Sequence, residues 1–379
     1  MGSSADATPS QSTRDFSIAV LPGDGIGIDV TEAALAVAEA ACARAGGLRL
    51  VLEKLDGGAI HFRETGRDMA AGAEEAAGRA DAIYVGAIGW PEVRHADGTE
   101  IAPHLRLRER YQLYAGVRPV KAYPNAPKVL ADSRAAAIDL VVLRECTEGL
   151  FYSAATHGRG TVANDDEVRE TLRISRSTTE KLHDFAFTLA TQRKARRGTA
   201  GKVTCVDKAN VFRSMAFFRQ IFEERAAAFP DIERDTNYID AMALDLVRKP
   251  WDFDVLVMEN MFGDILSDLG AGLVGGMGMA SSAEIGDTHA LFQPAHGTAP
   301  DIAGQDRANP LAAILSAALM LDYLHVRSGA PKPGDAARLI ETAVESGFAA
   351  NRLRPAEFGG NMGTRAIANE VIALVNEVA

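Results

Sequence analysis

Two aspartates in the stretch "NMFGDILSDL" have the spacing of a metal site. Asp264 and Asp268 are four residues apart, so on a helix they share one face, with their Cβ atoms roughly 6 Å apart. They lie among Met, Phe, Ile and Leu, where unpaired carboxylates are costly. A hard divalent cation, Mg²⁺ or Mn²⁺, would neutralise both charges. The alternative is an exposed acidic stripe on an amphipathic helix.

Arginines are concentrated in one part of a chain whose net charge is −11. The stretch "HLRLRERYQLYAGVRP" contains Arg106, Arg108, Arg110 and Arg118, and Arg144 follows in "LRECTEG". Because the guanidinium fork matches a carboxylate, the cluster indicates binding of a small anion. For any single arginine, a solvated helix face is the alternative. The acidic balance also disfavours nucleic acid as a partner.

Lys208 and Asp240 are two further candidates. Lys208 directly follows an apolar strand and stands next to Asp207. A lysine at a strand end beside an anionic site can act as general base or electrostatic stabiliser, and the alternative is an ordinary Lys–Asp surface pair. Asp240 lies in the otherwise apolar run "YIDAMALDL". Taken singly, it fits a capping or hydrogen-bonded residue as well as a ligand.

The stretch "HGTAPDIAGQDRANP" has the composition of a loop, and a long loop inside a compact α/β protein is usually functional. Its distinctive polar residues are His296, Asp301 and Asn309. A carboxylate suits the 2′-hydroxyl of an adenosine ribose and repels a 2′-phosphate, so Asp301 favours NAD over NADP if this loop binds a nucleotide. The glycine-rich turn "LPGDGIG" supplies neither G-x-G-x-x-G nor the ending of a P-loop.

The elements that position these residues alternate between short Val/Ile/Leu-rich runs and longer amphipathic runs. This alternation predicts an α/β architecture with a largely buried sheet. The 379 residues suffice for two domains, and since no linker divides the chain, we expect a second domain to be inserted into the first. Residues 1–15 predict a disordered leader without secretory features. Three scattered cysteines and apolar runs too short to span a bilayer indicate a cytoplasmic protein.

Seven motifs together resemble those of the β-decarboxylating dehydrogenases, the isopropylmalate/isocitrate dehydrogenase family, closest overall to its 3-isopropylmalate dehydrogenase-like members. In chain order they are "LPGDGIG", "LRLRERYQLYAGVRP", "LRECTEGLF", "VDKANVF", "YIDAMA", "NMFGDILSDL" and "HGTAPDIAGQDRANP". The resemblance covers the chain after its leader. It implies a large mixed-sheet domain, not a Rossmann fold, from residues 16–113 and 275–379, which binds NAD. Residues 114–274 would form a smaller central α/β domain for substrate, metal and dimerisation.

The resemblance also implies roles for the candidate residues. Arg108, Arg118 and Arg144 would clamp the carboxylates of a 2-hydroxy diacid. His296, Asp301 and Asn309 would hold the adenosine end of NAD.

Metal binding and proton removal would involve two subunits. Asp264 and Asp268 would bind Mg²⁺ or Mn²⁺ together with Asp240 of a second subunit. Lys208, from that same partner, would assist removal of the hydroxyl proton. A site shared in this way implies a homodimer.

The sequence departs from the family pattern at the general acid. The family's tyrosine stands seven residues after the arginine that matches Arg144, and this position is Phe151. Tyr152 is the neighbouring candidate. Since neighbours on a strand point to opposite faces, it would need a local shift to turn inward.

Further departures concern specificity. His104-Leu105 replaces the Leu-Leu pair of isopropylmalate enzymes, and a histidine suits a polar or anionic substituent better than an isopropyl group. The family's glutamate near the nicotinamide occurs one place early, as Glu100, with Ile101 at the expected position. "GWP" resembles the malate/tartrate branch, and Ala102 replaces a serine of the isocitrate branch.

These features predict NAD- and metal-dependent oxidative decarboxylation of a malate-type 2-hydroxy diacid, with 3-isopropylmalate as the default substrate. D-malate or tartrate is the alternative, because of His104. A catalytically silent paralogue is a further hypothesis, because of Phe151. A metal-dependent phosphatase or hydrolase built on Asp264 and Asp268 is the hypothesis from a different class, and it gives the arginines no purpose.

Overall fold

A computed structural model describes residues 13–154, 160–198 and 201–378 of the chain. The strands are β1 Arg14–Gly23, β2 Leu48–Lys54, β3 Ala82–Ala87, β4 Ala115–Lys121, β5 Asp139–Glu145, β6 Val162–Ala163, β7 Val168–Arg169, β8 Lys202–Asp207, β9 Glu233–Tyr238, β10 Val255–Met258, β11 Ser281–Ile285 and β12 Ala290–Pro294. The first strand begins at Arg14, two residues before the predicted start of the large domain. Residues 1–12, most of the predicted leader, lie outside the described residues.

Helices separate most of the strands. They are α1 Ile26–Ala45, α2 Ala59–Thr65, α3 Ala73–Arg79, α4 Pro103–Arg110, α5 Phe151–Ala154, α6 Arg176–Arg197, α7 Arg213–Ala226, α8 Ile239–Arg248, α9 Asn260–Leu273, α10 Leu311–Ser328, α11 Pro331–Ala349 and α12 Thr364–Glu377. The predicted alternation of strands and helices is therefore confirmed.

One mixed sheet of ten strands runs through the molecule in the order β2-β1-β3-β12-β11-β4-β5-β10-β8-β9. β11 is antiparallel to both β12 and β4, and β4 is antiparallel to β5. The other pairings are parallel. Strands from the two terminal segments form one half of the sheet and strands from the central segment form the other. This arrangement suits the predicted α/β fold, while the division into two domains remains a prediction.

Four helices of the terminal segments pack against one another beside the sheet, namely α1, α10, α11 and α12. Their Ala- and Leu-rich faces are buried together with β1, β3 and β12 in one hydrophobic cluster. Among the described residues, α10 is the one helix long and apolar enough to cross a membrane. It is a core helix, and most of it is buried in this cluster.

Candidate active site

A cleft of about 750 Å³ collects most of the predicted site residues. α4, α9 and the segment after β12 contribute to its wall. The predicted residues that line it are Glu100, His104, Leu105, Arg108, Arg118, Arg144, Asp264, Asp268 and His296. Residues from positions 100 to 296 of the chain thus converge on one cavity, as the arginine cluster and the aspartate pair predict.

The register of three strands places two arginines and a glutamate on one face of the sheet. Glu284 on β11 lies opposite Gly116 on β4, and Gly116 lies opposite Arg144 on β5. Arg118 follows Gly116 by two residues and therefore points to the same face. The glycine is required here, because a Cβ at position 116 would approach the Sγ of Cys146 to 2.5 Å. The space beside Gly116, between Arg144 on one side and Glu284 on the other, is thereby taken by the thiol of Cys146.

Glu284 is the anionic centre of the arginine cluster. Its two carboxylate oxygens accept hydrogen bonds from Nε and Nη2 of Arg108, with 2.6 Å to Nε. Nη2 of Arg118 lies 3.7 Å away, and Nε2 of Gln293 donates a further bond of 2.8 Å. Burial alone would raise the pKa of Glu284, but Arg108 and Arg118 bring it below its usual value. The fully buried carboxylate is therefore ionised.

Side chains of α9 hold the guanidinium of Arg144 in place. The side-chain oxygen of Asn260 accepts bonds of 2.9 and 2.7 Å from its Nε and Nη2, and its Nη1 donates to Asp264. The ring of Phe151 lies under the guanidinium, with its centre 5.0 Å from the carbon Cζ. Gly263 lets the helix come this close, since a Cβ there would be 2.6 Å from the Cβ of Arg144.

Arg118 is the arginine with free capacity. Its Nε is buried and has no hydrogen-bond partner among the described residues. Burial, with Arg144 close by, lowers the pKa of this side chain, although a guanidinium remains charged in proteins. A buried cation with unused donors suits a bound carboxylate.

The aspartate pair is compatible with a divalent cation. Asp264 and Asp268 stand one turn apart on α9 and both line the cleft. Burial raises the pKa of Asp268, and the charge of Asp264 raises it further. Two carboxylates that repel each other in this way would be neutralised by a divalent cation, and carboxylate oxygens are the ligands that Mg²⁺ and Mn²⁺ prefer.

Lys208 and Asp240 lie outside the cleft. Their side chains form an ion pair of 2.5 Å between the end of β8 and the first turn of α8. The hydrogen bond from Lys208 lowers the pKa of Asp240. No group of three metal-ligating side chains occurs in the described part of this single chain. The structure therefore does not bring Asp240 to Asp264 and Asp268 within one subunit.

Tyr152 does not line the cleft in this structure, and its role as general acid stays a prediction. Phe151 begins the short helix α5, so the premise that residues 151 and 152 lie on a strand does not hold. Gly149 precedes this turn with a φ of 71°. Phe151 lines the cleft. The ring of Tyr152 instead lies under the guanidinium of Arg173, 5.0 Å from its Cζ.

The predicted NAD residues have different surroundings. His296 lines the cleft, and its Nδ1 donates to the carbonyl of Gly297 at 2.9 Å. Burial lowers the pKa of His296, and its buried Nε2 has no partner within the described ranges. Asp301 is exposed in a single 3₁₀ turn, Pro300–Ile302.

Asn309 and Glu100 already have partners within the chain. The side chain of Asn309 donates to Glu357 at 2.9 Å and accepts from the amide of Leu311 at 3.2 Å. Its amide groups are thus used at the start of α10. Glu100 is exposed and forms an ion pair of 3.1 Å with Arg94, while Ile101 is buried.

Three residues that hold the arginines in place were not predicted from the sequence, namely Glu284, Asn260 and Gln293. One signal was available for Glu284, because a lone carboxylate in the small, buried strand "SSAEI" needs a cationic partner. By contrast, Arg106 and Arg110 of the arginine-rich stretch form ion pairs with Glu74. For these two arginines the interpretation as an ordinary helix face was the better one.

Comparison with known proteins agrees with this site. The family model described as "Isocitrate/isopropylmalate dehydrogenase" matches residues 17–374. A 3-isopropylmalate/3-methylmalate dehydrogenase of Methanocaldococcus jannaschii is 40% identical over 363 residues, which cover 95% of this chain and 99% of that protein. A 3-isopropylmalate dehydrogenase of Moorella thermoacetica is 40% identical over 334 residues, 87% of this chain and 89% of the relative.

Solved structures show the same likeness. The isocitrate dehydrogenase of Methylococcus capsulatus superposes with a TM-score of 0.80 at 33% identity. The match covers 95% of this chain and 99% of the chain of that enzyme. A β-decarboxylating dehydrogenase of Thermococcus kodakarensis, in its apo form, has a TM-score of 0.75 at 32% identity, with 96% of each chain covered.

The matched length and identity define an oxidoreductase of the β-decarboxylating class. The chain belongs to the isocitrate/isopropylmalate dehydrogenase family, a family of soluble enzymes that act on small hydroxy acids and typically use NAD(P) and a divalent metal. The resemblance inferred from the seven motifs is thereby confirmed. The hypothesis of a metal-dependent phosphatase is wrong, because the family match covers almost the whole chain.

Proposed function

We propose that the protein catalyses NAD- and Mg²⁺- or Mn²⁺-dependent oxidative decarboxylation of a malate-type 2-hydroxy diacid in the cytoplasm. The observation that carries this proposal is the cleft itself. It presents a buried guanidinium with unused donors, Arg118, close to the carboxylates of Asp264 and Asp268. A substrate that carries both a carboxylate and a metal-binding hydroxyl would use both features.

The chain's own residues would bind and orient such a diacid. Arg118 would take one carboxylate through its free donors, and Arg144 would take the other when Asp264 turns to the metal. Asp264 and Asp268, with Asp240 of a second subunit, would hold the divalent ion. Bound NAD and metal would supply hydride acceptance and Lewis acidity. Lys208 of the second subunit would accept the proton of the substrate hydroxyl.

The substituent at C3 of the substrate would face His104 and Leu105. Two relatives are named for 3-isopropylmalate, which remains the default substrate. D-malate or tartrate is the second candidate, because a histidine replaces an aliphatic residue at this wall. Burial lowers the pKa of His104 to about 3, so the imidazole is neutral in the cell and its buried Nδ1 has no partner among the described residues.

The position of Lys208 and Asp240 outside the cleft of their own chain is compatible with the proposed homodimer with shared sites. The neighbouring helices α8 and α9 expose large apolar side chains, with Leu244 54%, Val247 47% and Ile265 60% accessible. An apolar surface of this kind supports burial against another chain.

A complementation experiment tests the shared site. Lys208→Met and Asp264→Asn should each inactivate the homodimer. When both variants are expressed together, mixed dimers contain one intact site and should regain activity. Without any such recovery, the proposal that two subunits build each site is wrong.

The activity is tested by NADH formation with purified protein, Mn²⁺ and NAD or NADP. 3-Isopropylmalate, D-malate, tartrate and isocitrate are supplied separately, and Asp264→Asn serves as the inactive control. We expect turnover of one of the first three diacids with NAD. Tight NAD binding without turnover of any diacid would instead support the silent paralogue, and Phe151 at the place of the family's tyrosine is the reason to test for it.

A further inference from the structure

We propose that Glu284 restricts the cleft to substrates with two carboxylates and excludes those with a third. This inference rests on the proposed function and specifies its substrate class. The observation behind it is that a fully buried, ionised glutamate stands inside the cluster that should bind the anionic substrate. Nothing in the reaction itself requires a carboxylate there.

Glu284 takes up part of the hydrogen-bond capacity of Arg108. Nε and Nη2 of Arg108 both donate to Glu284. These two atoms form the side fork of the guanidinium, one of the two edges with which an arginine binds a carboxylate in bidentate fashion. As long as Glu284 holds them, Arg108 can offer a substrate only the two N–H groups of Nη1 and the second N–H group of Nη2. Arg118 is the arginine of the cluster whose side fork stays free. Its Nη2 lies 3.7 Å from the nearest carboxylate oxygen of Glu284.

The charges of the cleft also favour a dianion. Arg108, Arg118 and Arg144 carry three positive charges, and Glu284, Asp264 and Asp268 carry three negative ones. The Lys208–Asp240 pair of the partner subunit would add no net charge. A bound divalent ion would then leave the site with a charge of plus two, which a dianion neutralises. A trianion would leave an excess negative charge in a poorly solvated cleft.

His104 and Gln293 form the wall of the cleft beside Arg108. His104 precedes Arg108 by one helical turn and lines the cleft with it. The imidazole is neutral, and its Nδ1 is buried without a partner among the described residues. Next to it, Gln293 uses its amide nitrogen to donate to Glu284. His104 and Gln293 therefore offer no cation to a charged substituent, and they suit an alkyl or hydroxyl group.

Glu284 acts through the arginines, since it is fully buried and does not line the cleft. It is thus a positioning residue, and a purely structural role has to be separated from a role in selectivity. The ratio of two affinities makes this separation, because general loosening of the site weakens all ligands. A change in anion selectivity moves the ratio itself.

The experiment measures the dissociation constants of D-malate and isocitrate by calorimetry on the full-length protein with saturating Mn²⁺. We expect the wild type to bind D-malate at least tenfold more tightly. Glu284→Gln removes the charge at nearly constant shape and should move the ratio toward isocitrate by at least tenfold. Glu284→Asp keeps the charge and should keep the wild-type ratio. Glu74→Gln is the matched control, because Glu74 also pairs with two arginines, Arg106 and Arg110, but does not contact Arg108, Arg118 or Arg144 and does not line the cleft.

The outcomes distinguish the two proposals. If the wild type binds neither of these acids and no 3-isopropylmalate either, the proposed function fails. If it binds D-malate and isocitrate equally well, the inference about Glu284 fails, even where Glu284→Gln does not fold. The inference also fails if the folded Glu284→Gln variant keeps the wild-type ratio, or if Glu284→Asp shifts it as far as Glu284→Gln.

Discussion

The contact between α9 and Arg144 can be tested with one methyl group. In Gly263→Ala, the new Cβ would lie 2.6 Å from Cβ and 2.7 Å from Cγ of Arg144. Carbon atoms in ordinary contact are about 3.5–4.0 Å apart. The helix and β5 must therefore separate by about 1 Å, or Arg144 must leave its position.

The structure gives the size of the effect. Overpacking of this kind costs about 1–3 kcal/mol, and replacing a helical glycine with alanine recovers about 1 kcal/mol. A net loss of stability of about 0–2 kcal/mol follows. The effect on activity should be larger, because the shift disturbs the hydrogen bonds of Arg144 to Asn260 and Asp264. A displacement of about 1 Å near a reacting substrate can reduce the rate roughly 100-fold.

Gly272 provides the matched control on the same helix. A Cβ at this position meets no atom within 4 Å, so Gly272→Ala should leave kcat/KM unchanged and stabilise the protein slightly. Urea unfolding and steady-state kinetics with the preferred diacid measure both effects. If Gly263→Ala is as stable and as active as Gly272→Ala, the account of how α9 fixes Arg144 is wrong.

Two further predictions concern buried ionisable side chains, Arg118 and His183. Arg118→Met should weaken diacid binding roughly 150-fold, because the loss of charge-assisted hydrogen bonds costs about 3 kcal/mol. The stability of the free protein should change little, because the Nε of Arg118 has no partner among the described residues and Glu284 keeps its bonds to Arg108 and Gln293. Calorimetry and thermal unfolding check both statements. His183 is fully buried against Phe218 and Phe222, and burial lowers its pKa from 6.5 to about 3. Below pH 6.5 the unfolded chain binds a proton that the folded chain does not, so stability falls with pH down to about 3, by up to ~1.4 kcal/mol per pH unit. Between pH 7.5 and pH 5 the urea-derived stability of His183→Phe should therefore fall by about 2 kcal/mol less than that of the wild type, and equal falls would contradict the assigned pKa.

The sequence predicted the parts of the site that depend on local spacing. Asp264 and Asp268 are one helical turn apart, and strand–helix alternation follows from apolar periodicity, so both could be predicted. The place of Arg118 and Arg144 in one cleft came from the family motifs, and the structure agrees. Each of these predictions concerns residue types within a short stretch of chain or a pattern shared with relatives.

The parts that could not be predicted depend on the register of distant segments. Glu284 meets Arg108 across 176 residues of sequence, and Asn260 meets Arg144 across 116. Only the pairing of β11 with β4 and the packing of α9 on β5 bring these side chains together. The conformation at Tyr152 was missed for a local reason, because a short helix occupies the place of an assumed strand.

The central claim is that one diacid is both oxidised and decarboxylated in this cleft. The most direct test is the molar ratio of CO₂ to NADH formed from the preferred diacid with Mn²⁺ and NAD. The account predicts a ratio of one for the wild type and loss of both products in Asp264→Asn. NADH without CO₂ would contradict the decarboxylation step and direct attention to Phe151. The absence of NADH with all four acids would contradict the proposed function itself.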